Sequence, residues 1–182
     1  MKASSCTVDP PRRGLCWLAL SCLLAALCGL AAAAEPEGTV SITGDVKRPI
    51  SVGLEALRNF ASTGQLNYKS SRDVEGPQQH SVVKGVSLRA LLEQAGLAER
   101  DRLDWRKSVV ILTARDGYRV VFSWPELFNT EAGGQVMLVY ERDGAPLGSS
   151  EGPIALSAPG DIRTGPRHVK WLERIEVRIL RD

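Results

Sequence analysis

Apolar and polar residues alternate along much of the chain in short runs broken by Gly, Pro and Asp. Residues 38–44, with Val40 and Ile42 between polar neighbours and a glycine at each end, predict a strand. Lys47, Arg48 and Pro49 form a turn, and Ile50-Ser51-Val52 is a short extended stretch. Leu54, Leu57 and Phe60 recur at helical spacing and predict a short helix over residues 54–60, ended by Ser62-Thr63-Gly64. Residues 66–74 and 79–83 are two extended runs around Glu75-Gly76-Pro77, a hairpin whose polar faces suit a sheet edge. The next segment is helical. Ser87 stands at its N-cap, Leu88, Leu91, Leu92 and Ala95 form one apolar stripe, and Gly96 stands at its C-cap.

Residues 98–107 are charged and loop-like, with Trp105 among them. The β-branched run Val109-Val110-Ile111-Leu112-Thr113 predicts a buried strand. Asp116-Gly117 turns it into a partner over residues 118–122. Ser123, Pro125 and Glu126 carry the signature of a capping box at a helix start. Residues 136–140 form another buried strand, Asp143-Gly144 turns into a loop over residues 145–152, and residues 153–156 form a short strand. The last strand places Ile175, Val177 and Ile179 on one face and Arg174, Glu176 and Arg178 on the other. Many strands with short helices inserted predict an α+β fold with a mixed or antiparallel, β-rich sheet.

The first 34 of the 182 residues follow a different pattern. Lys2, Arg12 and Arg13 precede an apolar stretch over residues 15–30 and the small residues Ala31 to Ala34, as in a secretory signal peptide. The chain thus divides into a leader, 1–34, and one domain, 35–182, destined for the periplasm or for secretion. Arg12-Arg13 leave both Sec and twin-arginine export open. Three of the 23 basic and one of the 21 acidic residues lie in the leader, which leaves 20 of each sign in the domain. That balance speaks against nucleic acid as a partner. All four cysteines, Cys6, Cys16, Cys22 and Cys28, are also in the leader. The domain therefore has no disulfide and no thiolate for a metal or a nucleophile.

The candidate chemistry lies in residues 159–172, where a Gly/Pro-rich loop carries Arg163, Arg167, His168 and Lys170 into the last strand. Cations and free amides on one loop suit a phosphate or another anion. The same cations also suit a solvated loop with surface ion pairs, for example to Asp161 or Glu173. Core packing is the expected role of Trp124 and Trp171. His80 and His168, 88 positions apart without flanking ligands, do not make a zinc site. Ser149, Ser150 and Ser157 have no nearby histidine in a nucleophile pattern.

Four stretches resemble, in order, the molybdopterin-binding domains of the sulfite oxidase type. They are residues 85–96 (Gly-Val-Ser-Leu-Arg-Ala-Leu-Leu-Glu-Gln-Ala-Gly), residues 114–118 (Ala-Arg-Asp-Gly-Tyr), residues 140–147 (Tyr-Glu-Arg-Asp-Gly-Ala-Pro-Leu) and residues 165–172 (Gly-Pro-Arg-His-Val-Lys-Trp-Leu). The resemblance implies the fold of that family, an oxidoreductase ancestry and a molybdopterin cofactor held in part by Arg163, Arg167, His168 and Lys170. It also implies a molybdenum-ligating cysteine ahead of the Gly85-Val86 helix. Residues 70–84 contain none, which argues against bound molybdenum and assigns no catalytic residue or metal ligand. The expected function is therefore a non-redox binding module whose cationic loop takes an anionic small molecule or a periplasmic or membrane partner protein. The alternative is a small periplasmic molybdopterin-dependent oxidoreductase with non-cysteine metal ligation.

Overall fold

Alternation along the strands builds two sheets around one core. The structure, a computed structural model, describes residues 38–61, 64–71 and 80–181; the leader expected over residues 1–34 and the tip of the 66–83 hairpin lie outside them. In chain order the strands are β1 (Thr39–Gly44), β2 (Ile50–Gly53), β3 (Gln65–Ser71), β4 (His80–Ser87), β5 (Ser108–Ala114), β6 (Arg119–Ser123), β7 (Met137–Arg142), β8 (Ala145–Pro146), β9 (Ala155–Ser157) and β10 (Leu172–Ile179). The helices are α1 (Leu54–Arg58), α2 (Leu88–Ala95), α3 (Trp124–Asn129) and α4 (Glu131–Gly134). The fold is α+β, as expected.

The first sheet runs β2-β1-β10-β5-β6. Its β1–β10 pair is parallel, with Ile42 opposite Ile175, and its other pairs are antiparallel. In the second sheet β7 pairs with β4 on one edge and with β8 and β9 on the other, and β3 lies outside β4. Val40, Ile42, Val110, Leu112, Phe122, Ile175 and Val177 of the first sheet meet Leu138, Tyr140 and Leu156 of the second, with the Leu88, Leu91 and Leu92 stripe of α2 in the same core. The continuous apolar run of β7 is explained by burial on both faces: Met137 and Val139 pack in a second, smaller cluster with Val83.

The run at β5 behaves differently. Val110 and Leu112 are fully buried, but Val109, Ile111 and Thr113 are only half-buried. The outer face of the first sheet is open, and β-branched side chains suit a pleated surface on either face. Smaller departures arise at element ends. α1 stops at Arg58, where Phe60 N–H bonds to the Leu57 carbonyl in a tighter turn. Residues 104–107 of the charged stretch form a 3-10 turn, and the Asp104 carboxylate accepts the amides of Arg100 and Asp101. Ser87 holds the N-cap position of α2 without a side-chain bond, while Leu88 N–H donates to the Val136 carbonyl.

Two glycine-dependent features position the second half of the chain. A Cβ on Gly85 would stand 2.1 Å from the Leu138 carbonyl oxygen, so only glycine allows β4 and β7 to approach at their irregular register. Asp143 and Gly144 both have positive φ, 52° and 79°, the geometry that Asp-Gly favours in a two-residue hairpin.

Candidate functional site

The 158–171 loop leaves β9 and returns as β10, so both of its ends are anchored. Val169 pairs with Leu156 through two backbone bonds, of 2.8 and 3.2 Å. Between these anchors residues 165–167 make a 3-10 turn, which turns Arg167 inward. The four cations expected to share one site separate into three environments.

Arg167 is half-buried and fully engaged. Its Nε donates to Asp161 Oδ2 at 2.7 Å, its Nη2 to Asp161 Oδ1, and its Nη1 to Glu126 Oε1 at 2.6 Å. The guanidinium also lies 4.2 Å from the centre of the Phe122 ring. Its pKa is raised further above the ordinary arginine value, first by the hydrogen bonds to Asp161 and then by Glu126. Glu126 can reach it because the expected capping box forms. Glu126 N–H donates to Ser123 Oγ at 3.1 Å and Ser123 N–H to Glu126 Oε2 at 3.4 Å, which leaves Oε1 for the loop. The α3 N-terminus and the loop are thereby joined.

His168 faces a second carboxylate. Its Nε2 lies 3.6 Å from Oε2 of Glu151, while Arg142 Nη2 donates to the same oxygen at 2.9 Å and Arg142 Nη1 to Ser81 Oγ at 3.0 Å. The histidine contact is longer than a hydrogen bond, so Arg142 is the closer tie. Glu151 is 7% exposed. His168 and Arg142 together hold its carboxyl at about 2, against the opposing effect of burial. Arg142 Nε is buried and makes no hydrogen bond among the described residues.

Arg163 and Lys170 are exposed, and neither has a carboxylate partner among the described residues. Trp171 departs from expectation. It is half-exposed at the rim, not in the core. Its φ is 49°, its ring covers Gly152, where a Cβ would sit 2.5 Å from the indole, and the Arg115 guanidinium lies 4.2 Å from its ring centre. The indole N–H reaches the Ser149 carbonyl at 3.1 Å, and this polar handle keeps the ring at the surface. Trp124 is buried and stacked on Phe128, as expected.

Sequence reasoning did not find Glu126 and Glu151 as partners of the loop. Glu126 already had a complete local explanation in its cap, and an isolated carboxylate at Glu151 carries no pattern. Asp161 was legible only as an ion-pair alternative.

A family model described as "Oxidoreductase molybdopterin binding domain" matches residues 32–179. The chain belongs to this family. It is 27% identical over 163 residues to nitrate reductase (NADH) of Petunia hybrida, covering 78% of this chain and 18% of that protein. Its fold is similar to that of the sulfane dehydrogenase SoxCD from Paracoccus pantotrophus, with a TM-score of 0.60 and 20% identity over 78% of this chain and 38% of that one. The molybdopterin-binding-domain chain therefore spans well under half the length of either relative.

The residues present can be compared with the cofactor that the family implies. Residues 35–182 offer no thiolate, since all four cysteines precede them. Arg167 has three N–H donors on carboxylates, and the charges of Asp161 and Glu126 oppose a phosphate at the same place. Cysteine-ligated molybdenum does not fit this donor set, and Arg167 does not fit as a phosphate ligand in this arrangement. Arg163 and Lys170 remain suited to an anion from solvent.

Proposed function

We propose that this molybdopterin-binding-domain protein is exported and acts as a binding module without redox chemistry of its own, taking an anionic ligand or partner through the cationic side of the 158–171 loop. The observation that carries the reading is the donor set: no thiolate in residues 35–182, and an Arg167 already neutralised by two carboxylates. The leader pattern of residues 1–34 supports export to the periplasm or beyond. The test is combined molybdenum and pterin analysis of the exported protein from a host that makes molybdopterin. The expected result is neither in stoichiometric amount. One molybdenum per chain would overturn the reading.

Family membership across residues 32–179 favours a second reading, a small molybdopterin-dependent oxidoreductase with non-cysteine metal ligation. It predicts the opposite result in the same analysis.

A further inference from the structure

One side chain on the loop is out of keeping with its neighbours. Ile162 is 97% exposed, more than any other large hydrophobic residue among those described. A lone exposed aliphatic residue on a slack loop is ordinary. Ile162 is instead held by a braced backbone. Asp161, its predecessor, is bound at both carboxylate oxygens by Arg167, and its amide donates to the Ala158 carbonyl at 3.1 Å. Gly160 packs so closely on α4 that a Cβ would stand 2.6 Å from Ala132 Cα. On the far side the Tyr118 hydroxyl holds the Pro166 carbonyl at 2.6 Å. Next to Ile162 in the chain is the exposed Arg163, and Lys170 follows in the same loop. The loop's own acid, Asp161, is taken by Arg167, so the cations that face solvent have no counter-charge within the loop.

We propose that Ile162 is the anchor of a protein-docking surface, and that its partner is a protein presenting an apolar socket rimmed by carboxylates that meet Arg163 and Lys170. The proposal rests on the reading of this loop as a binding element and names its ligand class. A small phosphate gains nothing from an aliphatic side chain. An anionic bilayer calls for a broad apolar face or a longer basic cluster. A preorganised apolar anchor on a loop that also carries two solvent-facing cations suits a protein hot spot: bracing lowers the ordering cost, and the cations set encounter rate and salt dependence.

The experiment places a photo-crosslinking phenylalanine analogue at Ile162 of the full chain in the cell that makes it, with the same analogue at exposed Leu103 as control. The expected result is one protein adduct at Ile162 that is absent at Leu103. The captured protein, once purified, should bind the wild-type chain. Ile162→Asp, and separately Arg163→Glu with Lys170→Glu, should each weaken that binding about tenfold or more with unchanged melting temperature. Reversing the partner's rim carboxylates should restore the charge-reversed chain. No adduct, an adduct only with another copy of this chain, or binding to equimolar phosphatidylcholine–phosphatidylglycerol vesicles that Ile162→Asp abolishes would each overturn the proposal. Binding of sodium pyrophosphate unaffected by Ile162→Asp, without a protein adduct, would retain the anion-binding loop and remove the docking surface. Stoichiometric molybdenum would remove the non-redox reading and leave the docking result standing.

Discussion

Arg167 meets Asp161 with two donors on two acceptors, Nε on Oδ2 at 2.7 Å and Nη2 on Oδ1, across six residues of one loop. With Glu126 on Nη1, a side chain suited to an external anion instead fastens the loop to α3. Arg167→Ala should therefore lower stability by about 1–3 kcal/mol, between the values for an exposed and a buried ion pair. Arg167→Lys should recover only part of the loss, because an ammonium cannot serve both Asp161 oxygens in one plane. Urea unfolding of Arg167→Ala, Asp161→Ala and the double variant checks this. The two single losses should fall short of additivity by about 0.5 kcal/mol or more. Full additivity would show that the pair does not act as a unit.

Glu151 should set part of the acid sensitivity. Its carboxyl titrates at about 2 when folded, below the ordinary glutamate value of 4.5, because His168 and Arg142 stabilise the charged form. A depressed acid contributes stability above its unfolded pKa and loses it as pH falls towards the folded value. Thermal midpoints of the wild type should thus drop more steeply than those of Glu151→Gln between pH 4.5 and about 2. At neutral pH the glutamine variant should already be less stable by about 2 kcal/mol, since Arg142 loses a charged partner. Parallel pH profiles would contradict the assignment.

Gly85→Ala should be among the most damaging small substitutions. The new methyl would lie 2.1 Å from the Leu138 carbonyl oxygen and 2.9 Å from Met137 Cε. The first obstacle is backbone, so β4 must move away from β7. A loss of roughly 2–4 kcal/mol is expected in chemical denaturation. Gly117→Ala meets nothing within 4 Å and should cost less, through its φ of 86° alone.

Ser123→Ala removes the acceptor for Glu126 N–H and should cost about 1 kcal/mol. Because the other half of the box orients Glu126 towards Arg167, the cost should shrink when measured in an Arg167→Ala background. Equal costs in both backgrounds would mean that the cap and the loop contact are independent.

Periodicity carried most of the fold. The α2 stripe, the α3 capping box and the last strand all follow from side-chain spacing, because burial of one face decides each locally. The pairing of β1 with β10 was not legible, since it joins residues more than a hundred positions apart and leaves no local mark. The open face at β5 was hidden for a related reason: Val109 and Ile111 look the same in sequence whether the far side of the sheet is covered or not. At the loop, the cations were visible but their partners were not. Asp161, Glu126 and Glu151 approach them only through the fold, and that approach separates Arg167 and His168 from Arg163 and Lys170.

The position of β10 has a consequence for how the first sheet closes. The first sheet holds β1 and β2 on one side of β10 and β5 and β6 on the other. Without residues 172–179 that sheet is two hairpins with no strand pairing between them. Closure of this sheet therefore depends on contacts distant in sequence, which slows folding.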